Sequence, residues 1–255
     1  MHQCPNCDNN FEGQYCNKCG QQVAHRITMR HIGHDLAHAF THTDKGFFHL
    51  MLALYRNPGK VAREYILEQK RKRYVTPFQY LLIIGAVATF IVVNSHFMIN
   101  TMRAMGAGGA EISARQAAVM QTMADLQGRY YNFLVMLQLP FLSASTLLVY
   151  RKHRLNYAEH LTLHSFISAQ TTLTSVILIT AIYFFGQGHP VLVRSFISIM
   201  IIFSLVYHLV MYTGFFRDRR FKGFAKAFLA YFLGLTIFVI LLILSISLIV
   251  SLYVK

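Results

Sequence analysis

Residues 70–98 read KRKRYVTPFQYLLIIGAVATFIVVNSHFM, and this stretch decides the fold class. Four consecutive cations, Lys70, Arg71, Lys72 and Arg73, give way to an apolar run from Phe78 to Met98 without a single Lys, Arg, Asp or Glu. A helix needs about 20 largely apolar residues to cross the hydrocarbon core of a bilayer. A charge at its centre would cost several kcal/mol. Four further segments meet the same test: 130–150, 161–185, 191–215 and 225–254. Arg194 sits within the first turn of its segment, and the last segment is longer than a span requires, so it can tilt or project. Composition agrees, because 13% charged residues is far below the roughly one quarter usual in soluble proteins. The expectation is an all-α polytopic membrane protein with about five transmembrane helices. Ahead of them lie a small N-terminal zinc-ribbon module (1–22) and amphipathic, basic juxtamembrane helices (23–76), with the membrane domain over 77–255.

The cations set the expected orientation. Lys and Arg accumulate in cytoplasmic loops. Grouping alternate segments places 19 of the 24 cations on the side of the N-terminus and 5 on the other. The N-terminus is therefore expected in the cytosol of a bacterial inner membrane, and the C-terminus outside. The net charge of +14 is accounted for by this loop bias, so nucleic acid is not the expected partner. Met1-His2-Gln3 followed by a cysteine pair has neither the basic start nor the apolar stretch of a secretory signal.

All four cysteines fall in the first 19 residues, as Cys4-Pro5-Asn6-Cys7 and Cys16-Asn17-Lys18-Cys19. Two C-x-x-C pairs on a short hairpin bring four thiolates to one tetrahedral zinc ion. Gly20 and Asp8, directly after each pair, both tolerate the left-handed backbone of such a turn. Disulfides are disfavoured in the cytosol, a thioredoxin-like pair lacks its βαβ context, and iron also suits a four-thiolate site. Filling all four positions with protein makes the ion structural, so the ribbon is read as a docking module for a protein partner rather than a catalyst.

Between ribbon and membrane, Ile32, Leu36, Ala39 and Phe40 share a helical face, and His31, His34, His38 and His42 form a separate stripe. The plain reading of that stripe, a His-rich polar face, is preferred because no clear carboxylate partner accompanies it beyond Asp35. Phe47–Tyr55 is apolar but too short to cross. Asn57-Pro58 marks a helix start, and that helix is expected to run into the basic residues before Tyr74. These helices are expected on the inner membrane surface, with Lys70, Arg71, Lys72 and Arg73 among anionic headgroups.

A second polar group, Glu159, His160, His164 and His208, falls at the cytoplasmic ends of two spans, where ionisable residues are candidates for function. The alternative is that these side chains reach out to headgroups. Met98, Met102, Met105, Met120 and Met123 are read as packing rather than copper ligands, beside a helix expected from Glu111. No phosphate loop, nucleophile elbow or H-E-x-x-H motif is present in the sequence.

Several patches resemble an uncharacterised bacterial membrane-protein family with an N-terminal four-cysteine zinc ribbon. The matching residues are the two cysteine pairs ending in Cys19-Gly20-Gln21, then Asp44-Lys45-Gly46 and Arg56-Asn57-Pro58-Gly59-Lys60. Glu64-Tyr65, the basic run, Tyr74-Val75, Pro77 and Glu159-His160 continue the match. Where that family has glycine ahead of the basic run, this chain has Gln69. The resemblance implies zinc and the membrane topology and carries no activity. Three functions follow in order. The first is a scaffold, accessory or sensor protein. The second is a small transporter or channel, homo-oligomeric in one version, with Asn132, Gln138 and Gln170 beside the histidines. The third is a membrane enzyme using Glu159, His160, His164 and His208. A non-enzymatic role is favoured.

Overall fold

The computed structural model describes residues 2–23, 25–38, 46–97, 99–101, 114–185, 189–218 and 220–253. A two-stranded antiparallel ribbon comes first: β1 (His2–Gln3) pairs with β2 (Asn10–Phe11), His2 opposite Phe11. Three short helices follow, α1 (Met29–His38), α2 (Phe47–Arg56) and α3 (Pro58–Ile66). Then come α4 (Pro77–Asn94), α5 (Ala114–Arg129), α6 (Tyr131–Val149), α7 (Tyr157–Phe185), α8 (Pro190–Phe215) and α9 (Phe221–Tyr253). Five of them, α4 and α6 to α9, are long and apolar enough to cross a membrane. Asp44, Lys45, His42, Met98, Met102, Met105 and Glu111 lie outside the described residues, as do the side chains of His34, Asp35, Leu36, His38 and Met120.

Local chemistry fixes the helix ends. Proline occupies the first helical position of α3, α4 and α8, where its missing N–H is not needed. α4 stops at Asn94, four residues short of the expected end, because Ser95 ends it and His96 takes a left-handed φ of +50°. α7 begins four residues earlier than expected. The Asn156 Oδ1 accepts from the Glu159 amide (2.9 Å) while the Glu159 carboxylate accepts from the Asn156 amide (2.8 Å), a reciprocal capping box. α3 does not run into the basic residues. It ends at Ile66, and the chain turns at Gln69, whose φ of +57° is a conformation glycine adopts freely.

α7 is the axis of the bundle. Every residue from Ala158 to Gln170 is buried, and the helix packs on α4, α6 and α8 as well as on α2 and α3. The short helices are more deeply engaged than a surface location implies. Leu50 and Leu54 of α2 are fully buried. The main-chain oxygens of Met51 and Leu54 accept hydrogen bonds from Gln170 (3.4 Å) and Tyr207 (3.2 Å), both on membrane-length helices. The Tyr207 bond serves a carbonyl with no helical donor of its own, since Pro58, four residues after Leu54, has no N–H. α3 crosses α8 with Gly59 against Gly214, and α9 crosses α6 with Gly234 against Leu142, so small residues set the closest approaches.

Candidate functional site

The two cysteine knuckles repeat one hydrogen-bond pattern. Cys4 donates from its amide to Asn9 O (2.9 Å) while Asp8 donates back to Cys4 O (2.9 Å). Cys16 donates to Gln21 O (2.8 Å) while Gly20 donates back to Cys16 O (2.8 Å). Asp8 and Gly20 hold φ of +57° and +71°, the left-handed turns read from the sequence. All four thiols are free, and their sulfurs lie within 4.8 Å of one another. The Cys4–Cys19 and Cys7–Cys16 sulfur separations are both 3.6 Å. Metal–sulfur bonds of about 2.3 Å in a tetrahedron require edges of roughly 3.8 Å, so the four residues fit a metal ion. Burial opposes ionisation of Cys16, but the amides of Cys19 and Lys18 outweigh it and lower the thiol to about 6. At Cys7 the Asn9 amide lowers the pKa, yet burial and the three other sulfurs raise it to about 12. Four thiolates this close need a cation among them.

The ribbon is fastened to the helical body at two places. The Gln21 side chain donates to Gln69 O (3.0 Å) and accepts from the Lys72 amide (3.2 Å), so it pairs with the turn that carries the basic run. Arg26 grips the start of α7: Nε donates to Glu159 Oε1 (2.7 Å), and one terminal nitrogen donates to Glu159 Oε2 (2.8 Å) and to Arg154 O (2.6 Å). Glu159 is 3% exposed, whereas the Arg26 side chain is 55% exposed, so solvent screens part of this pair. Arg26→Ala is expected to cost about 1–2 kcal/mol, the range of a charge-assisted bond discounted for exposure. Thermal unfolding read beside Arg151→Ala, an exposed control, checks it; equal shifts would remove the latch.

The basic run is not a free cationic tail. Arg71 donates to Tyr65 O and His25 O and lies over the Tyr65 ring, and Lys70 pairs with Glu68 at 2.9 Å. Lys72 and Arg73 are exposed.

His160, His164 and His208 are each buried, at 4% exposure or less, so they do not reach out to headgroups. Thr146 donates its hydroxyl to main-chain carbonyls of its own helix and meets His160 Nδ1 (3.0 Å) and His164 Nε2 (3.2 Å). His208 Nδ1 meets Ser204 O at 2.7 Å. The His164 and His208 rings are 6.4 Å apart, and both contact the Tyr212 ring. His160 Nε2, His164 Nδ1 and His208 Nε2 make no hydrogen bond with the described residues. Glu159 is turned away from this group toward Arg26. Among the described residues, the four cysteines are the group whose ligand atoms come within metal-binding reach of one another. Gln170 is committed to the Tyr80 hydroxyl (2.7 Å) and to Met51 O. Asn132 packs against Gly85 on α4, and Gln138 is half-buried on α6. Sequence reasoning missed the helix-capping role of Glu159, although Asn156-x-x-Glu159 is a legible capping signal. It also missed Arg26 and Gln21, for which no local pattern exists.

Fold and site together define a class: a helical protein with five membrane-length apolar helices and a four-thiol cluster able to hold a metal ion. The family described as protein of unknown function (DUF3667) matches residues 44–89, which take in α2, α3, the basic run and most of α4. The match includes Arg56–Lys60 and Glu64–Tyr65 but neither the cysteine pairs nor Glu159-His160. No curated protein and no solved structure matches the chain.

Proposed function

We propose that this chain is a membrane-embedded accessory or sensor protein, with a ribbon that holds one structural zinc ion and docks a protein partner in the cytosol. The observation that carries the reading is the way the ribbon is held. Gln21 and Arg26 fasten it to the helical body, while Tyr15 beside the ligand Cys16 stands 58% exposed. A large aromatic left in water next to a rigid metal knuckle suits recognition, since such side chains anchor interfaces at low entropic cost. A closed four-thiolate site has no position for substrate, which favours a structural ion. The 19-to-5 division of cations supports a cytosolic ribbon in a bacterial inner membrane, with the C-terminus outside.

Affinity purification from crosslinked membranes tests the docking role. Tyr15→Ser and a four-cysteine-to-serine variant are expected to lose a common set of partners that Arg151→Gln retains. An unchanged set in both variants would reject the proposal.

A further inference from the structure

A cavity of about 870 Å3 opens between the start of α3 and the end of α8. Five cationic side chains line it, Arg56, Lys60, Arg63, Lys70 and Arg217, against two carboxylates, Glu64 and Glu68. Both carboxylates are already engaged. Glu68 pairs with Lys70, and Glu64 accepts the Tyr74 hydroxyl at 2.5 Å with Lys60 at 3.8 Å. Arg56 and Arg217 form no close ion pair with a carboxylate among the described residues, although the charge of Arg217 acts on Glu68. Arg63 donates to Phe215 O (2.9 Å), yet its Nε is buried without a hydrogen bond to the described residues. Burial, and after it the charge of Arg217, disfavour the charged form of the Arg63 guanidinium, with Glu68 opposing. The Asn57 side chain makes no cap bond to the first turn of α3, which also borders the cavity. The lining therefore carries an excess of positive charge and of unused donors, the complement of a phosphate group.

The rim indicates where that phosphate comes from. Val210, on the lining, is 44% exposed and continues a stripe of exposed apolar residues along α8: Ile199, Ile202 and Val206. Their spacing keeps them on one face of a membrane-length helix. We infer that the cavity binds the phosphate headgroup of an anionic membrane phospholipid, whose acyl chains lie along this stripe. The guanidinium of Arg56, which makes no hydrogen bond or ion pair with the described residues, supplies a planar pair of donors to the phosphate oxygens, and Arg217 and Lys60 add charge. This site is independent of the cysteine ribbon and of any partner docked there.

Native mass spectrometry of the detergent-purified full chain tests the assignment. Wild type is titrated with phosphatidylglycerol, zwitterionic phosphatidylcholine and, separately, inorganic pyrophosphate. Phosphatidylglycerol is expected to bind about tenfold or more tightly than phosphatidylcholine, the scale of one charge-assisted contact. Arg56→Gln combined with Arg217→Gln is expected to abolish that preference, and the exposed pair Arg151→Gln with Lys152→Gln to retain it. Equal binding of the two lipids by wild type overturns the proposal without any variant having to fold. An equal loss in the control pair also overturns it. Pyrophosphate binding as tight as that of phosphatidylglycerol overturns the lipid assignment in favour of a soluble phosphate.

Discussion

Purified protein is expected to carry one zinc ion per chain, and replacing the four cysteines by serine to bring the metal to background and unfold the ribbon. The ribbon has little else to hold it. Its buried apolar cluster consists of Cys4, Phe11 and Cys16, with Val23 packed against it. Burying Phe11 contributes about 2–3 kcal/mol. Metal binding is therefore expected to be the main contribution to folding it, with the two hairpin knuckles and the Gln21 and Arg26 contacts adding to it. Metal quantification with limited proteolysis reads the outcome. Residues 1–22 should become protease-sensitive in the variant while far-ultraviolet circular dichroism stays close to wild type, because the long helices make their own core. A ribbon that remains protected without metal would show that the cysteines are not its structural clip.

Gly59→Ala is expected to destabilise the protein by about 2–3 kcal/mol, the upper range for overpacking against atoms that cannot move aside. A Cβ at Gly59 would sit 2.6 Å from both Cα and C of Gly214 and 2.8 Å from the amide nitrogen of Phe215. These are backbone atoms, so α3 must separate from α8. The sign is diagnostic, since glycine to alanine in an unobstructed helix normally stabilises by up to about 1 kcal/mol. Gly33 in α1 offers that control, because no described atom lies within 4 Å of its added Cβ. Gly214→Ala is the milder partner, meeting Gly59 Cα at 3.2 Å. Thermal unfolding in detergent should rank Gly59→Ala as least stable, then Gly214→Ala, then Gly33→Ala. A Gly59→Ala protein as stable as the Gly33 variant would refute the close crossing, and with it the geometry that forms the basic cavity.

The cysteine centre was legible at the level of individual residues. The spacing named the four thiols that come together, and the left-handed backbone after each pair was foreseen at Asp8 and Gly20. The apolar runs marked the five long helices to within about a turn: the misses at Asn94 and Tyr157 arose from local capping, and α9 starts four residues before the expected 225, at Phe221. The histidine group was visible as a set, but its burial was not. Residues near a span end can reach headgroups or turn inward, and that choice depends on α6 and α8, which place Thr146 and Tyr212 beside the rings. Gln69 departs from the glycine of the resembling family and still takes the left-handed conformation, because Gln21 and the folded turn hold it there.

Taken alone, the sequence determines the apolar helices, the paired thiols able to hold a metal ion and the charge asymmetry, since each depends on composition or on spacing along one element. Tertiary structure alone decides that α2 and α3 pack into the bundle, that Arg26 reaches a carboxylate 133 residues away, and that five cations from two distant segments share one cavity. Those features depend on which helices become neighbours, and close crossings at Gly59 and Gly214 set that arrangement where no periodicity records it.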